Sequence, residues 1–321
     1  MKAIPRQVVS AITFLVMSVS LFVVGNAANA AAITLGSTAT SRTTTIQGSN
    51  KLTYWGNGAL GTQNENVTRV LFVIHGNGQN PDSYAQTALD AAKSKGVLGQ
   101  TLVVTPYWDM NSDSGKMYWD SDWREGDFSR DSTHQSSYLV LDKLINSVDT
   151  TTYPNLKEIV VAGHSAGAQF ATRWAAISPN TKVTRVVAAN AGSHVWLDSS
   201  RPYSTSGISG YNDYKYGTAN RPSYVSGPST TTLKAQFAAK RMIQLQGTAD
   251  TVRDSDFDTS KQADTQGRNR YERGHKFFDS LVRIYGSSIT TNHEVRDVPG
   301  VGHTWGGMAK SPVGMTALFN R

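Results

Sequence analysis

Residues 158–177 read EIVVAGHSAGAQFATRWAAI, and these twenty residues indicate the fold class. Its first five residues, mostly apolar and β-branched, predict a buried strand, and its last twelve have the apolar spacing of a helix. Between them lies Gly163-His164-Ser165-Ala166-Gly167, so the chain passes from strand to helix in one tight turn. Such a turn leaves no room for large side chains two positions from the serine, and it lifts the hydroxyl to the strand's carboxyl end. An ordinary Gly-Ser turn is the alternative, but this context predicts Ser165 as a nucleophile.

A glycine-rich loop follows an earlier strand. The apolar residues Val70–Ile74 run into residues 75–78, which read HGNG. Glycines let a backbone approach a bound molecule closely. We expect the amides of Asn77, from this loop, and Ala166, after the serine, to form an oxyanion hole. His75 is expected to brace the loop, and a glycine-rich turn without a ligand is the alternative.

A nucleophilic serine needs a base, and the base needs a carboxylate to orient it. With this kind of turn both follow the serine in the chain, with the acid first. The predicted strand Arg241–Gln246 is followed by Gly247-Thr248-Ala249-Asp250. Asp250 therefore lies just beyond a strand end and is the predicted acid. Its competitors are further from the strand and more solvated: Asp254, Asp256 and Asp258.

The predicted base is His303. The predicted strand Glu294–Val298 leads into residues 299–305, PGVGHTW, so His303 lies on a glycine-lined loop directly after a strand. It follows the acid in the chain, as the order requires. The other histidines lack either that order or that placement: His75, His134, His164, His194, His275 and His293.

Strands and helices alternate along most of the chain. The predicted core strands are Val67–His75, Thr101–Pro106, Glu158–Ala162, Lys182–Ala189, Arg241–Gln246 and Glu294–Val298. The predicted helices are Asp82–Lys95, Ser136–Ser147, Ala166–Ile177, Gly274–Tyr285 and Thr304–Phe319. Thr43–Ile46 and Lys51–Trp55 are predicted as antiparallel edge strands. The alternation predicts an α/β fold with a mainly parallel central sheet flanked by helices.

Residues 199–240 interrupt the alternation. They are rich in Ser, Thr, Tyr and Gly and lie between two core strands. Their length and position predict a small lid-like insertion, and an irregular surface loop is the alternative. Tyr214 and Tyr216 in this segment are candidate substrate contacts.

The polar loop from Trp108 to about Asp131 is rich in aromatic residues. Trp119 and Trp123 either form an aromatic platform beside the cleft, and so bind substrate, or pack the loop down. The spacing from Asp109 to Asp120 is similar to that of a calcium loop, but its glycine is misplaced, and a polar loop is favoured. We expect no metal ligands and no cofactor.

Residues 1–30 are predicted to be a secretory signal peptide. Lys2 and Arg6 give a positive start, an apolar run follows from Val8 to Gly25, and residues 28–30 read ANA. Small residues at these positions predict cleavage near Ala30, which makes the protein extracellular or periplasmic. A membrane anchor is the alternative. Residues 31–321 are predicted to form a single domain.

The composition excludes several classes of protein. There are 31 Lys and Arg against 24 Asp and Glu, a formal net charge of +7, but the basic residues are scattered. This pattern indicates a solvated surface and no nucleic-acid partner. The absence of cysteine excludes disulfides, thiol catalysis and thiolate metal sites. The oligomeric state is left open.

Together these residues resemble the α/β-hydrolase superfamily, in particular secreted esterase- and lipase-like serine hydrolases of bacteria and fungi. The similar segments are residues 153–165, 189–198, 273–278 and 298–303. The resemblance covers about residues 67–320. It implies Ser165, Asp250 and His303 as the catalytic triad, with Asn77 and Ala166 as oxyanion donors. Similar proteins often carry glycine where this chain has Ala168.

The expected activity is hydrolysis of carboxylic esters through an acyl-enzyme on Ser165. Export favours substrates outside the cytoplasm, either small molecules or polymers: lipid esters, plant-wall esters or polyesters. A serine peptidase or an acyltransferase of the same fold is the enzymatic alternative. A catalytically silent binding module is the alternative from another class, and it would not need an intact triad.

Overall fold

The computed structural model describes residues 34–113 and 115–320. The predicted signal peptide, residues 1–30, lies outside these residues, so its cleavage stays a prediction. The central sheet has eight strands in the spatial order β1-β2-β4-β3-β5-β6-β7-β8. The strands are β1 Thr40–Gln47, β2 Asn50–Gly56, β3 Arg69–Ile74, β4 Thr101–Pro106, β5 Glu158–His164, β6 Arg185–Ala189, β7 Met242–Gly247 and β8 His293–Val298.

The predicted sheet topology is confirmed. Strands β3 to β8 pair in parallel, while at one edge β2 pairs antiparallel with β4, and β1 pairs antiparallel with β2. Every residue of β3 to β7 is buried. Parallel strands covered on both faces read as continuous apolar runs, which is why these strands are visible in the sequence.

Helices cover both faces of the sheet. They are α1 Pro81–Ser94, α2 Ser137–Asn146, α3 Ala166–Ile177, α4 Thr230–Ala239, α5 Lys261–Asp264, α6 Arg270–Tyr285, α7 Trp305–Lys310 and α8 Pro312–Phe319. Helices α1, α7 and α8 pack in the core on one face, and α2, α3, α4 and α6 in the core on the other. Within the described ranges, none of these helices has the length and apolar character needed to cross a membrane.

The C-terminal part of the predicted lid-like insertion is a core helix. Leu233 and Phe237 of α4 are fully buried. The Nε2 of His293, the first residue of β8, donates to the Phe237 carbonyl (2.8 Å). Parallel strands begin at the edge opposite their carboxyl ends, so the C-terminal end of α4 lies at the edge away from Ser165. This corrects the prediction for residues 199–240: only the part before α4 is placed to reach the cleft.

Four buried histidines predict a loss of stability in acid. Burial lowers the pKa of His75 and His293 to about 4 and that of His194 to about 3, and it holds the pKa of His164 well below its ordinary value. The folded state therefore binds fewer protons than the unfolded state below pH ~6.5. Above that pH these histidines do not lower the free energy of unfolding. As the pH falls from there to the folded-state pKa of a group, that group lowers the free energy of unfolding by about 1.4 kcal/mol per pH unit.

Urea unfolding at pH 7.5, 6.0 and 5.0 measures this effect, with the midpoint expected to fall at each step. Neither ring nitrogen of His194 has a hydrogen-bond partner among the described residues, and the ring stacks on Phe277. His194→Phe should therefore reduce the pH dependence without removing a hydrogen bond. A midpoint that does not change between pH 7.5 and 5.0 would contradict the prediction.

Candidate active site

Four loops meet at the carboxyl edge of the sheet. Ile74 of β3 pairs with Gly163 of β5, so the loop after β3 and the turn after β5 leave neighbouring strands together. Gly247 of β7 pairs with Val298 of β8, so the loops that carry Asp250 and His303 also leave side by side. The register therefore brings the predicted nucleophile, acid, base and oxyanion loop to one place.

The turn after β5 is as tight as the sequence predicts. Ser165 has a φ of +58°, a backbone region that residues other than glycine rarely adopt. A Cβ on Gly163 would lie 2.1 Å from the Gly167 carbonyl oxygen, and one on Gly167 would lie 2.1 Å from that of Ile74. Only glycine fits at these two positions, and Ser165 is held in a strained conformation of the kind found at functional sites.

Ser165, His303 and Asp250 form a continuous hydrogen-bonded chain. The His303 Nδ1 lies 2.7 Å from the Oδ2 of Asp250, and its Nε2 lies 2.9 Å from the Ser165 Oγ. An ionised carboxylate can only accept, so Nδ1 carries the proton and Nε2 accepts from the serine hydroxyl. Asp250 is buried, with 2 % of its surface exposed, while His303 and Ser165 are half-buried. In this arrangement the histidine is oriented to take the proton of the serine.

The two segments that carry the predicted oxyanion donors lie next to the serine. Ala166 is the first residue of α3, so its N–H points out of the helix without an intrahelical acceptor. A Cβ on Gly76 would be 3.7 Å from the Ser165 Cβ, so the loop that carries Asn77 runs directly past the nucleophile. The loop of Asn77 and the start of α3 thus both border the cavity at Ser165, and the role of the two amides as oxyanion donors stays a prediction.

His75 braces the oxyanion loop, as the sequence predicts. Its Nδ1 donates to the Gly76 carbonyl (2.8 Å), and its Nε2 accepts from the Trp108 amide (3.1 Å). Burial lowers the pKa of His75 to about 4, so the ring is neutral at pH 7 and can make both bonds at once. His75 therefore fixes the loop and does not exchange protons with a substrate.

Two arginines support the site, and no local sequence pattern indicates either role. Arg124 donates from Nη1 to the Asn77 Oδ1 (3.0 Å). The fully buried Arg270 lies 3.4 Å from Asp250 Oδ1 and binds both oxygens of Asp254 at 2.8 and 2.7 Å. Pairs between residues so far apart along the chain leave no local pattern in the sequence.

Asn190, after β6, ties the acid and base loops together. It is fully buried, its Nδ2 donates to the Gly302 carbonyl (3.1 Å), and its Oδ1 accepts from the Gly247 amide (2.8 Å). Its φ of +53° is one that asparagine tolerates better than most residues. Its position in the sequence, as a polar residue directly after a buried strand, was the signal that could have marked it as a residue of the site. Because Gly302 precedes His303, Asn190 positions the base.

Asn190→Ala should lower kcat by about 10- to 100-fold with little change in KM, because His303 loses its orientation. Steady-state kinetics on a small ester measures this split. Asn292→Ala is the matched control, since the Asn292 Nδ2 also donates to a carbonyl, that of Ala238 (3.0 Å), but at the opposite edge of the sheet. Equal losses of kcat in the two variants would show a merely structural role for Asn190.

The structure corrects the expectation that Trp119 and Trp123 contact a substrate. Neither side chain has exposed surface. Both pack against Trp108, and the Trp123 ring lies 5.0 Å from that of His75. They belong to the core beneath the oxyanion loop, which is the packing role that the sequence left open.

The insertion reaches the cleft through a different residue from those predicted. The Tyr214 hydroxyl bonds the Tyr138 hydroxyl (3.0 Å) and the Glu125 carbonyl (2.5 Å), and the Tyr216 hydroxyl bonds Asp258 (2.9 Å). Neither tyrosine is among the residues that line the cavity at Ser165, whereas Lys215 between them is. The two tyrosines anchor the segment, and Lys215 faces the cleft.

The acidic residues of the 109–120 loop are engaged with protein groups. Asp109 Oδ1 accepts from the amide of Asn111 (2.9 Å), and Asp120 pairs with Arg130 (2.7 Å). Among the residues that the structure describes, no three side chains of His, Asp or Glu converge as metal ligands would.

The chain has the α/β-hydrolase fold. A poly(aspartic acid) hydrolase from Sphingomonas sp. KT-1 has a similar structure, with a TM-score of 0.67, 24% identity, and coverage of 89% of this chain and 100% of that one. A poly(3-hydroxybutyrate) depolymerase from Bordetella parapertussis has a TM-score of 0.64 at 19% identity and covers 88% and 90%. No protein-family model and no curated protein matched the sequence.

Proposed function

We propose that this protein is a serine hydrolase that cleaves carboxylic esters through an acyl-enzyme on Ser165. The observation that carries the proposal is the hydrogen-bonded chain from Ser165 through His303 to Asp250, at 2.9 and 2.7 Å, with the acid buried. A binding module has no use for a strained serine aligned with a base, so an enzyme is favoured over a silent relative.

In the first half of the reaction, the His303 Nε2 takes the proton of Ser165 while the Oγ attacks the ester carbonyl. The carbonyl oxygen becomes an oxyanion and accepts hydrogen bonds from the Asn77 and Ala166 amides. Collapse breaks the bond to the alcohol, which takes the proton from His303 and leaves. Asp250 stabilises the imidazolium while it exists.

In the second half, His303 removes a proton from water, and the hydroxide attacks the acyl-enzyme. The same amides hold the second oxyanion, and its collapse releases the acid and returns the proton to Ser165. The groups named are sufficient for each step, so the proposal includes no metal or cofactor.

The substrate is proposed to lie outside the cytoplasm, on the basis of the signal-peptide pattern in residues 1–30. The two similar structures described above are named for the polymers poly(aspartic acid) and poly(3-hydroxybutyrate). Poly(3-hydroxybutyrate) is a polyester, whereas poly(aspartic acid) is linked by amide bonds, so the first polymer is the reason to screen polymeric esters beside small esters. The bond type in the substrate separates an esterase from a peptidase.

Matched esters and amides test the proposal. The purified chain is assayed on an aryl acetate, on the corresponding acetanilide, and on polyester films. We expect turnover of the acetate and no detectable turnover of the anilide. Faster cleavage of the anilide would favour a peptidase, and transfer of acetyl to an added alcohol in preference to water would favour an acyltransferase.

A further inference from the structure

A cavity of about 330 Å³ opens beside Ser165 and is lined almost entirely by polar residues. Ala166 and Phe257 are the apolar members of its lining, and Phe257 is largely buried. A hydrocarbon chain placed here would strip water from polar groups without replacing their hydrogen bonds, which is unfavourable. The cavity therefore suits a group that can make hydrogen bonds.

Two carboxylates close to this cavity already have partners. Glu125 pairs with Lys215 (2.5 Å) and lies 3.6 Å from the Nε of Arg124. Asp258 accepts from the Tyr216 hydroxyl (2.9 Å) and from the amide of Ser260 (3.1 Å). The remaining lining carboxylate, Asp256, is exposed to solvent.

The cationic side chains that line the cavity, in contrast, have N–H groups without an acceptor among the described residues. The ammonium of Lys215 has three, and its Nζ has one hydrogen-bond partner, Glu125, among the described residues. Arg124 uses Nη1 for Asn77, and no protein acceptor pairs with its Nη2 in the part of the chain described. Both side chains are about one-fifth exposed, so they are accessible from the cavity yet partly shielded from water. The N–H groups of Lys215 and Arg124 that remain unpaired among the described residues would thus bind a hydrogen-bond acceptor.

We propose that the cavity binds an oxygenated acyl group, one that carries an oxygen acceptor beyond the scissile carbonyl, and that Lys215 is its specificity residue. The inference rests on the proposed ester hydrolysis and names the substrate class of that site. Lys215 belongs to the insertion and reaches the cavity because Tyr214 and Tyr216 anchor the backbone on both sides of it. The acceptor is a neutral oxygen or a carboxylate, since an ammonium binds both.

Two pairs of ethyl esters of nearly equal shape test the inference on the full chain. Ethyl 3-hydroxybutanoate is compared with ethyl 3-methylbutanoate, and monoethyl succinate with ethyl 4-methylpentanoate, by titration of the released acid. In at least one pair we expect kcat/KM to be higher for the oxygenated member by about tenfold or more, because the hydrocarbon leaves the donors unpaired. A preference in the first pair indicates a neutral oxygen, and one in the second pair alone indicates a carboxylate.

In the pair that shows the preference, Lys215→Met should reduce the ratio of kcat/KM for the oxygenated ester to kcat/KM for the hydrocarbon ester by about tenfold. Lys93→Met is the control, because it removes the same charge from the exposed last turn of α1, at the opposite edge of the sheet, and should leave the ratio unchanged. Equal or inverted preference in both pairs, or an unchanged ratio in folded Lys215→Met, would overturn the inference while ester hydrolysis stands. If the wild-type chain hydrolyses neither ethyl acetate nor any member of the pairs, the proposed function fails, and the inference with it.

Discussion

Ser165→Ala is expected to lower kcat/KM for a small ester by about 10³-fold or more while the protein stays folded. The substitution removes the proposed nucleophilic oxygen and leaves the two proposed oxyanion amides in place. It takes away a single hydrogen bond, from Oγ to His303 (2.9 Å), and alanine is smaller than serine, so no clash results. Initial rates on an aryl acetate, together with circular dichroism and a thermal melt, measure activity and folding separately.

The expected residual activity is small but finite, because binding and the oxyanion hole still act on the substrate without the nucleophile. Ester hydrolysis near the wild-type rate in folded Ser165→Ala would contradict the assignment of the nucleophile. It would direct attention to another hydroxyl of the cleft, such as Ser255 or Ser260 in the lining of the cavity.

Asp250→Asn is expected to lower kcat by about 10⁴-fold, far more than Asp254→Asn. An asparagine amide can donate to the Nδ1 of His303, which then loses its proton to Nε2 and can no longer accept from Ser165. Asp254 makes no hydrogen bond to His303 among the described residues, and it bonds both terminal nitrogens of Arg270. The hydrogen bonds from Arg270 lower the pKa of Asp254. Asp254→Asn therefore removes a charge that is paired with Arg270, and it does not change which nitrogen of His303 carries the proton.

The two variants are well matched, since each replaces a carboxylate that contacts Arg270 and each removes one negative charge. Rates on the same aryl acetate across pH 5 to 9 distinguish them. Asp254→Asn should retain the shape of the wild-type profile, while Asp250→Asn should be slow throughout. A larger loss in Asp254→Asn would mean that the carboxylate has been misassigned.

The core of the fold could be predicted because its signals are local. Strands β3 to β7 are buried on both faces and therefore appear as short apolar runs, and the two glycines around Ser165 mark a turn that admits no other residue. The positions of Asp250 and His303, each a few residues past a strand, follow from the same pattern. The four loops that build the site were thus accessible from the sequence.

The partners of the supporting residues could not be predicted, because they lie far along the chain. Arg124 is 47 positions from Asn77, and Asn190 is 112 positions from Gly302. Nothing near Arg270 in the sequence indicates that it lies beside Asp250. Such pairs are set by the packing of whole elements, which no local pattern encodes.

Helix α4 was missed for another reason. Its sequence, TTTLKAQFAA, begins with three β-branched residues of modest helix propensity, and its apolar residues do not form one clear face. Burial of Leu233 and Phe237 against the rest of the core stabilises it. The prediction of a single lid-like segment failed where tertiary contacts outweighed local preference.

A fluorophosphonate reacts covalently with serines activated by a base, so mapping the labelled residue tests whether Ser165 is the nucleophile. The wild-type chain should gain the mass of one phosphonyl group, lose hydrolytic activity in step with the labelling, and carry the adduct on the peptide that contains Ser165. Ser165→Ala should gain none, and Asp250→Asn should react much more slowly because its base is misoriented. An adduct on a different residue, or an active wild-type chain that takes up no label, would contradict the account.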